Sequence, residues 1–440
     1  MSDRPAESVL CAEDEVVQIC QDLIRFDTSN FGDGAGPGER AAAEYTAGLL
    51  EEVGLASEIF ESAPGRASVV ARIEGTDPTA SALVVHGHLD VVPAQKQDWS
   101  VDPFAAELKD GLIWGRGAVD MKDMDAMVLS VVRELQRTGT RPRRDLVIAM
   151  FADEEAGGTY GARWAVDHRP ELFDGAKEAI SEVGGFSAEI GGQRTYLLQT
   201  AEKGLSWLKL TATGRAGHGS QTNSDNAVTR LARAVSRIGD HEWPIELTDT
   251  TRRFLDGVTE LTGIAFDEDN PEILLKELGT LARFVGATLQ NTSNPTVLKA
   301  GYKENVIPGH AEARVDVRTL PGQDEQVLEK IKELAGDGVD LAYVHHDVSL
   351  ETPFEGALVD AMVGAIEAED PGAKVLPYTL SGGTDNKSLS RLGITGYGFA
   401  PLQLPAELDF TGMFHGVDER VPAASLQFGA RVLRRLLTTY

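Results

Sequence analysis

The chain has 440 residues, 42% of them hydrophobic, and a formal net charge of −28. That length exceeds one ordinary core and predicts two domains. The acidic balance argues against nucleic acid and anionic membrane surfaces as partners, because both call for clustered Lys and Arg, and no apolar run approaches membrane-spanning length.

The opening Met-Ser-Asp-Arg-Pro-Ala-Glu carries neither the basic nor the apolar region of a secretory leader. Cys11 and Cys20 lie nine apart on a predicted helix with an apolar stripe of Val16, Ile19, Leu23 and Ile24. Their spacing fits neither a zinc knuckle nor a disulfide framework, so a reducing, cytoplasmic setting is expected. Glu39–Val53 reads as a second helix closed by Gly54. Strands are expected at Ser68–Ile73, Ala82–His86 and Asp145–Ala152, with a helix over Met121–Gln136. This alternation predicts an α/β sheet covered on both faces. Beyond Glu202-Lys203-Gly204 the texture changes to strands at Leu205–Thr213, Val297–Pro308, His310–Leu320 and Val339–Val344. Helices at Asp225–Ile238 and Asp324–Ala335 complete an α+β block of antiparallel character. Alternation resumes near Glu355 and ends in a helix at Ala423–Leu437. The expected organisation is a discontinuous main domain, 1–203 and 351–440, interrupted by an inserted block, 204–350, in which His241–Asn294 is polar and weakly patterned.

Chemistry-bearing residues gather at predicted element ends. In Leu83–Pro93 an apolar run ends in His86, His88 and Asp90, which alternate with period two and so project to one side of an extended backbone. A carboxylate beside an imidazole fixes its tautomer and presents a metal-binding nitrogen; alone, the stretch reads equally well as a strand surfacing into a polar turn. Gly115-Arg116-Gly117 precedes a helix, but Asp120 stands where a dinucleotide fingerprint needs its third glycine, and an isolated Asp there is equally a helix cap. Asp153-Glu154-Glu155 closes a buried strand, where adjacent acids repel unless a cation offsets them. Glu182 and His415 each follow in a loop of their own.

In this order, His88-Leu89-Asp90, Gly115 to Asp120, Asp153-Glu154-Glu155 and His415-Gly416 resemble the signature of the dinuclear zinc peptidase and deacylase superfamily. Its members include aminoacylase, carboxypeptidase G, carboxypeptidase S, acetylornithine deacetylase and succinyl-diaminopimelate desuccinylase. Trp99, Asp102-Pro103-Phe104 and Asp110-Gly111 look closest to the carboxypeptidase S and aminoacylase branch. The resemblance implies a zinc-exopeptidase-like three-layer α/β catalytic domain with an inserted α+β lid and dimerisation domain. It implies two Zn²⁺ per subunit, with Co²⁺ or Mn²⁺ possible substitutes in such a site. His88 and Glu182 are expected on one metal, Glu155 and His415 on the other, and Asp120 between them. Asp90 is expected to orient His88, and Glu154 to act as general base toward a bridging hydroxide. His86 remains a rival or auxiliary to His88. Ser-Glu-Val-Gly-Gly departs from the Asp-Glu-Gly-Gly or Glu-Pro common in relatives, but Glu182 is the carboxylate available there.

The lid motif Gly217-His218-Gly219 implies an oxyanion-stabilising His218 acting in the dimer partner's site. Asn305, Arg318 and the loop Gly382-Gly383-Thr384 are the implied grip on a substrate carboxylate. The expected activity is hydrolysis of an amide next to a free carboxylate, in a dipeptide, a C-terminal residue or an N-acyl amino acid. The alternatives are a biosynthetic deacylase of acetylornithine or succinyl-diaminopimelate type and, more remotely, a non-catalytic metal-bound scaffold.

Overall fold

The computed structural model describes residues 10–32 and 34–440; the opening Met-Ser-Asp-Arg-Pro-Ala-Glu lies outside them. A ten-stranded sheet runs Ser57–Ala63, Arg66–Ile73, Leu146–Phe151, Ala82–His88, Ala176–Ser181, Thr395–Gly398 and Gln193–Glu202, with Leu350–Glu351 at the far edge. Lys374–Leu380 and Phe186–Ile190 also pair with Gln193–Glu202. The central strands are parallel, His88 standing opposite Phe151 and Gly398 opposite Ser181, so their C-terminal ends share one edge.

Consecutive residues of a strand face opposite sides, and the buried strand Ala82–His88 uses both. Leu83 and Val85 enter a large core with the helices Ala12–Arg25, Lys122–Thr138, Ala357–Glu369 and Ala423–Thr439. Val84 enters a smaller one against Ala162, Ala165, Phe173, Leu389 and Ile394. The result is the three-layer α/β architecture expected.

A four-stranded antiparallel sheet, ordered Thr292–Ala300, His310–Thr319, Gly204–Thr213 and Val339–Asp347, forms the lid. The helices Ala227–Gly239 and Asp324–Ala335 cover one face, burying Leu208, Leu210, Leu231, Ile238, Val315 and Ile331. Two expectations need correction. The strand read from Val297 to Pro308 starts at Thr292 and ends at Ala300; Pro295 is tolerated because this is an edge strand with a register shift between Pro295 and Val297. The range 204–350 is also not one packing unit. Between its lid segments the chain returns to the main domain, where the helix Asp249–Thr262 buries Phe254, Leu255 and Val258 in the large core, followed by Leu274, Leu278, Leu281 and Val285. The pattern there was weak because the later helices are short and Gly279, at φ 55°, breaks them.

Candidate metal centre

The sheet edge where the central strands end gathers the acids and imidazoles. His88 terminates its strand with Nδ1 2.9 Å from the main-chain oxygen of Asp90, so Nδ1 carries the hydrogen and Nε2 faces the cluster. From Nε2, Asp120 Oδ1 is 3.2 Å away, Glu182 Oε2 3.5 Å and Glu154 Oε2 3.9 Å. The other oxygen of Asp120 lies 3.3 Å from His415 Nε2, itself 3.0 Å from Glu155 Oε2. Asp120 thus stands between two imidazoles, one oxygen toward each. His88, Asp120 and Glu155 offer donor atoms all within 4.8 Å of one another, and so do His88, Glu154 and Glu182.

Electrostatics show what this cluster needs. Burial, then repulsion from Glu182, Asp385 and Glu155, pushes the Glu154 carboxyl well above the usual carboxylate range. Burial raises Glu182 to about 7 against the pull of His88. Burial disfavours charge on His88 too, yet Glu182, Asp120 and Asp90 hold it well above an ordinary histidine. Asp120 and Glu155 raise His415 to about 10, and hydrogen bonds from both imidazoles keep buried Asp120 well below the usual range. Protons on the imidazoles here supply positive charge that divalent cations would supply better, freeing the ring nitrogens to coordinate. Glu155 Oε1 is buried without a hydrogen-bond partner. The donor set of imidazole nitrogens and carboxylate oxygens therefore fits two divalent metal ions.

The supporting contacts are specific. The Asp90 carboxylate accepts from the main-chain N–H of Glu154 (3.0 Å) and Glu155 (3.1 Å) and from the Asn30 amide (2.8 Å). It lies 3.5 Å from His88 Nδ1. The nearer orienting group for His88 is thus the Asp90 carbonyl, while the carboxylate fixes the Glu154-Glu155 turn. Glu419 is fully buried and accepts from Val119 N–H (2.7 Å), Asp120 N–H (3.2 Å) and Arg116 Nη1 (2.8 Å). Arg116 also donates to Gly416 O at 2.9 Å, tying the Asp120 and His415 loops together. Asp153, Val183 and His415 take left-handed φ values of 67°, 52° and 56°, uncommon for non-glycine residues and concentrated beside the site.

A cavity of about 420 Å³ opens over this cluster. Arg318, Gly382, Gly383 and Thr384 line it. Thr384, however, commits both its hydroxyl (2.6 Å) and its main-chain N–H (3.0 Å) to Glu202, so the loop meets the cavity through Gly382 and Gly383. His218 and Asn305 do not line it. They sit together on the exposed lid, where Gly217-His218 pairs with Val306-Ile307 and Gly219 N–H donates to Asn305 O at 2.9 Å. His86 is no rival to His88: its Nε2 lies 2.9 Å from Asn386 Oδ1, its ring packs on Phe151, and burial lowers its pKa to about 4. Sequence reasoning missed Lys387, a buried cation in the cavity wall with Nζ 2.6 Å from Lys203 O, as well as Phe284. Of the two, only Lys387 had a local signal, standing four positions after Gly383.

A partly buried, two-sided cluster of carboxylates and imidazoles at one edge of an α/β sheet, under a lid, defines a metal-dependent hydrolase. The comparisons agree. The model of Peptidase family M20/M25/M40 matches residues 84–439, and the chain belongs to that family. Aminoacylase-1 of Pongo abelii is 30% identical over 416 residues, covering 91% of this chain and 90% of that protein. The N-fatty-acyl-amino acid synthase/hydrolase PM20D1 of Xenopus tropicalis is 28% identical over 442 residues, covering 94% and 83%. Among solved structures, the M20 family metallo-carboxypeptidase Sso-CP2 from Sulfolobus solfataricus superposes with a TM-score of 0.74 at 17% identity, covering 97% of this chain and 99% of that one.

Proposed function

We propose that the chain is a two-metal amidohydrolase that cleaves an amide next to a free carboxylate, in an N-acyl amino acid, a dipeptide or a C-terminal residue. The observation that carries this reading is Asp120, whose two oxygens face His88 and His415 at 3.2 and 3.3 Å on the floor of a cavity also lined by Arg318 and Lys387. His88 and Glu182 would hold one metal, Glu155 and His415 the other, and Asp120 both. Zinc suits these ligands, and Co²⁺ or Mn²⁺ also accepts them. When bound, such ions polarise the scissile carbonyl and lower the pKa of the attacking water.

The chain's own residues do the rest. Glu154 accepts the proton of the water whose oxygen adds to the carbonyl carbon. It delivers that proton to the nitrogen as the C–N bond breaks, so one carboxylate serves both halves of the transfer. Arg318 and Lys387 attract the substrate carboxylate, with the Gly382-Gly383 backbone close by. His218 and Asn305, exposed on the lid and away from their own cavity, serve a partner subunit in a homodimer formed through the lid; the pairing of Gly217–His218 with Val306–Ile307, which brings the two residues together, supports this. A cytoplasmic setting is supported by the free Cys11 and Cys20, and no helix among the described residues is long and apolar enough to cross a membrane. The test is a screen of N-acyl amino acids, dipeptides, acetylornithine and succinyl-diaminopimelate, with metal content measured on the same preparation. Hydrolysis of the first two classes and two metals per chain are expected. Turnover confined to the last two compounds would assign a biosynthetic deacylase instead.

A further inference from the structure

The cavity has an apolar wall for which metal and proton chemistry have no use. Val183, Phe284, Leu380 and Phe414 form it, with Leu205 and Trp207 of the lid completing the apolar lining. Phe284 comes from the short helix Ala282–Gly286 in the weakly patterned segment. Its ring lies 5.6 Å from that of Tyr378, whose hydroxyl donates to the Val183 carbonyl. From Tyr378 the ring contacts continue to Phe186 at 6.0 Å, on to Phe410 at 5.0 Å, and to Phe414 at 5.3 Å. Phe284 and Phe414 are the members of this aromatic cluster that reach the cavity. The helix is anchored as well: Lys203, 1% exposed, donates from Nζ to Ala287 O (3.0 Å) and Gln290 O (2.7 Å) just beyond it.

We infer that Phe284 sets the size limit of an acyl-group subsite, and that the substrates are N-acyl amino acids with a medium-length or aromatic hydrocarbon acyl group. This rests on the amidohydrolase reading above. Three observations carry it. Val183 adjoins Glu182 and Phe414 adjoins His415, so the apolar wall begins beside the reacting carbonyl, and the acyl chain is the substituent bonded to that carbonyl carbon. Arg318, which also pairs with Asp316 at 2.7 Å, and Lys387 line the cavity, and the carboxylate grip proposed above uses them, leaving the wall for an uncharged group. At about 420 Å³ the cavity falls within the range that accommodates drug-sized ligands, and an acetyl group would leave most of the wall bare.

The test is kcat/KM of the zinc-loaded enzyme on one amino acid carrying acyl groups from acetyl to decanoyl, and on its N-acetyl derivatives with side chains of rising size. Each added methylene should raise kcat/KM up to about fourfold until the wall is filled. Phe284→Leu should move the optimum to longer chains and Phe284→Trp to shorter ones. Chain-length ratios within one variant do not depend on how much of it folds. Calorimetric Kd values of the Glu154→Gln variant for the same series should follow the same order, a readout independent of turnover. Hydrolysis with a flat acyl profile, an optimum unmoved in both Phe284 variants, or a response only in the side-chain series overturns this inference and leaves the amidohydrolase reading standing. No hydrolysis of any member by the wild type overturns both.

Discussion

Replacing Asp90 by Ala tests how the strand end holds the site. Its carboxylate accepts three hydrogen bonds, from Glu154 N–H, Glu155 N–H and the Asn30 amide, at 2.8–3.1 Å in a fully buried position. Each buried donor left without an acceptor costs about 1–3 kcal/mol, and a water entering the vacated space offsets part of the total, so destabilisation of about 3–6 kcal/mol is expected. Because the orphaned donors belong to the turn carrying Glu154 and Glu155, metal affinity should also fall about 10–100-fold. Asp90→Asn keeps one acceptor oxygen and should lose about half as much stability. Denaturant unfolding of metal-free protein measures the first effect without linkage to the ions, and calorimetric metal titration measures the second. An Asp90→Ala variant within about 1 kcal/mol of wild type, with metal affinity unchanged, would refute the reasoning.

Arg318→Ala should raise KM about 10–100-fold for substrates with a free carboxylate, the loss expected for a hydrogen bond to a charged group. It should change little for the corresponding methyl esters; equal losses on both would remove Arg318 from carboxylate binding. Burial lowers the Lys203 ammonium from the ordinary 10.5 to about 7. Between those values the unfolded chain holds a proton that the folded one has released, so this group makes stability rise with pH from 7 toward 10.5 and lose that gain as pH falls through 7. At about 1.4 kcal/mol per unit the gain is at most on the order of 5 kcal/mol. Urea unfolding from pH 7 to 9.5 should show it in the wild type and not in Lys203→Met; identical pH profiles would rule it out. If His218 acts across a dimer, mixing the His218→Ala and Glu154→Gln variants should restore activity that neither has alone. A fully active monomer by light scattering would exclude that role.

The strand-end motifs were legible because they are local. His88-Leu89-Asp90 and Asp153-Glu154-Glu155 each sit within a few residues of a buried apolar run, and open α/β sheets concentrate their chemistry there. What stayed hidden depends on partners far along the chain. Period-two alternation puts His86 and His88 on one face, but His86 lies about 6.6 Å deeper, where it meets Asn386, 300 residues away. Lys387 and Lys203 read as solvated lysines until folding closes Nζ contacts across 184 and 87 residues. The helix Asp249–Thr262 was obscured because its polar face dominates the pattern, while Phe254, Leu255 and Val258 serve the main core rather than the lid. Thr384 was legible as part of its loop, but not its commitment to Glu202, which stands 182 positions earlier.

The central claim, that Glu154 moves the proton in a site whose metals are held by other side chains, is tested most directly by Glu154→Gln. Metal content per chain should match the wild type, while kcat on the best substrate should fall about 10²–10⁴-fold. Normal turnover with full metal content would contradict the account.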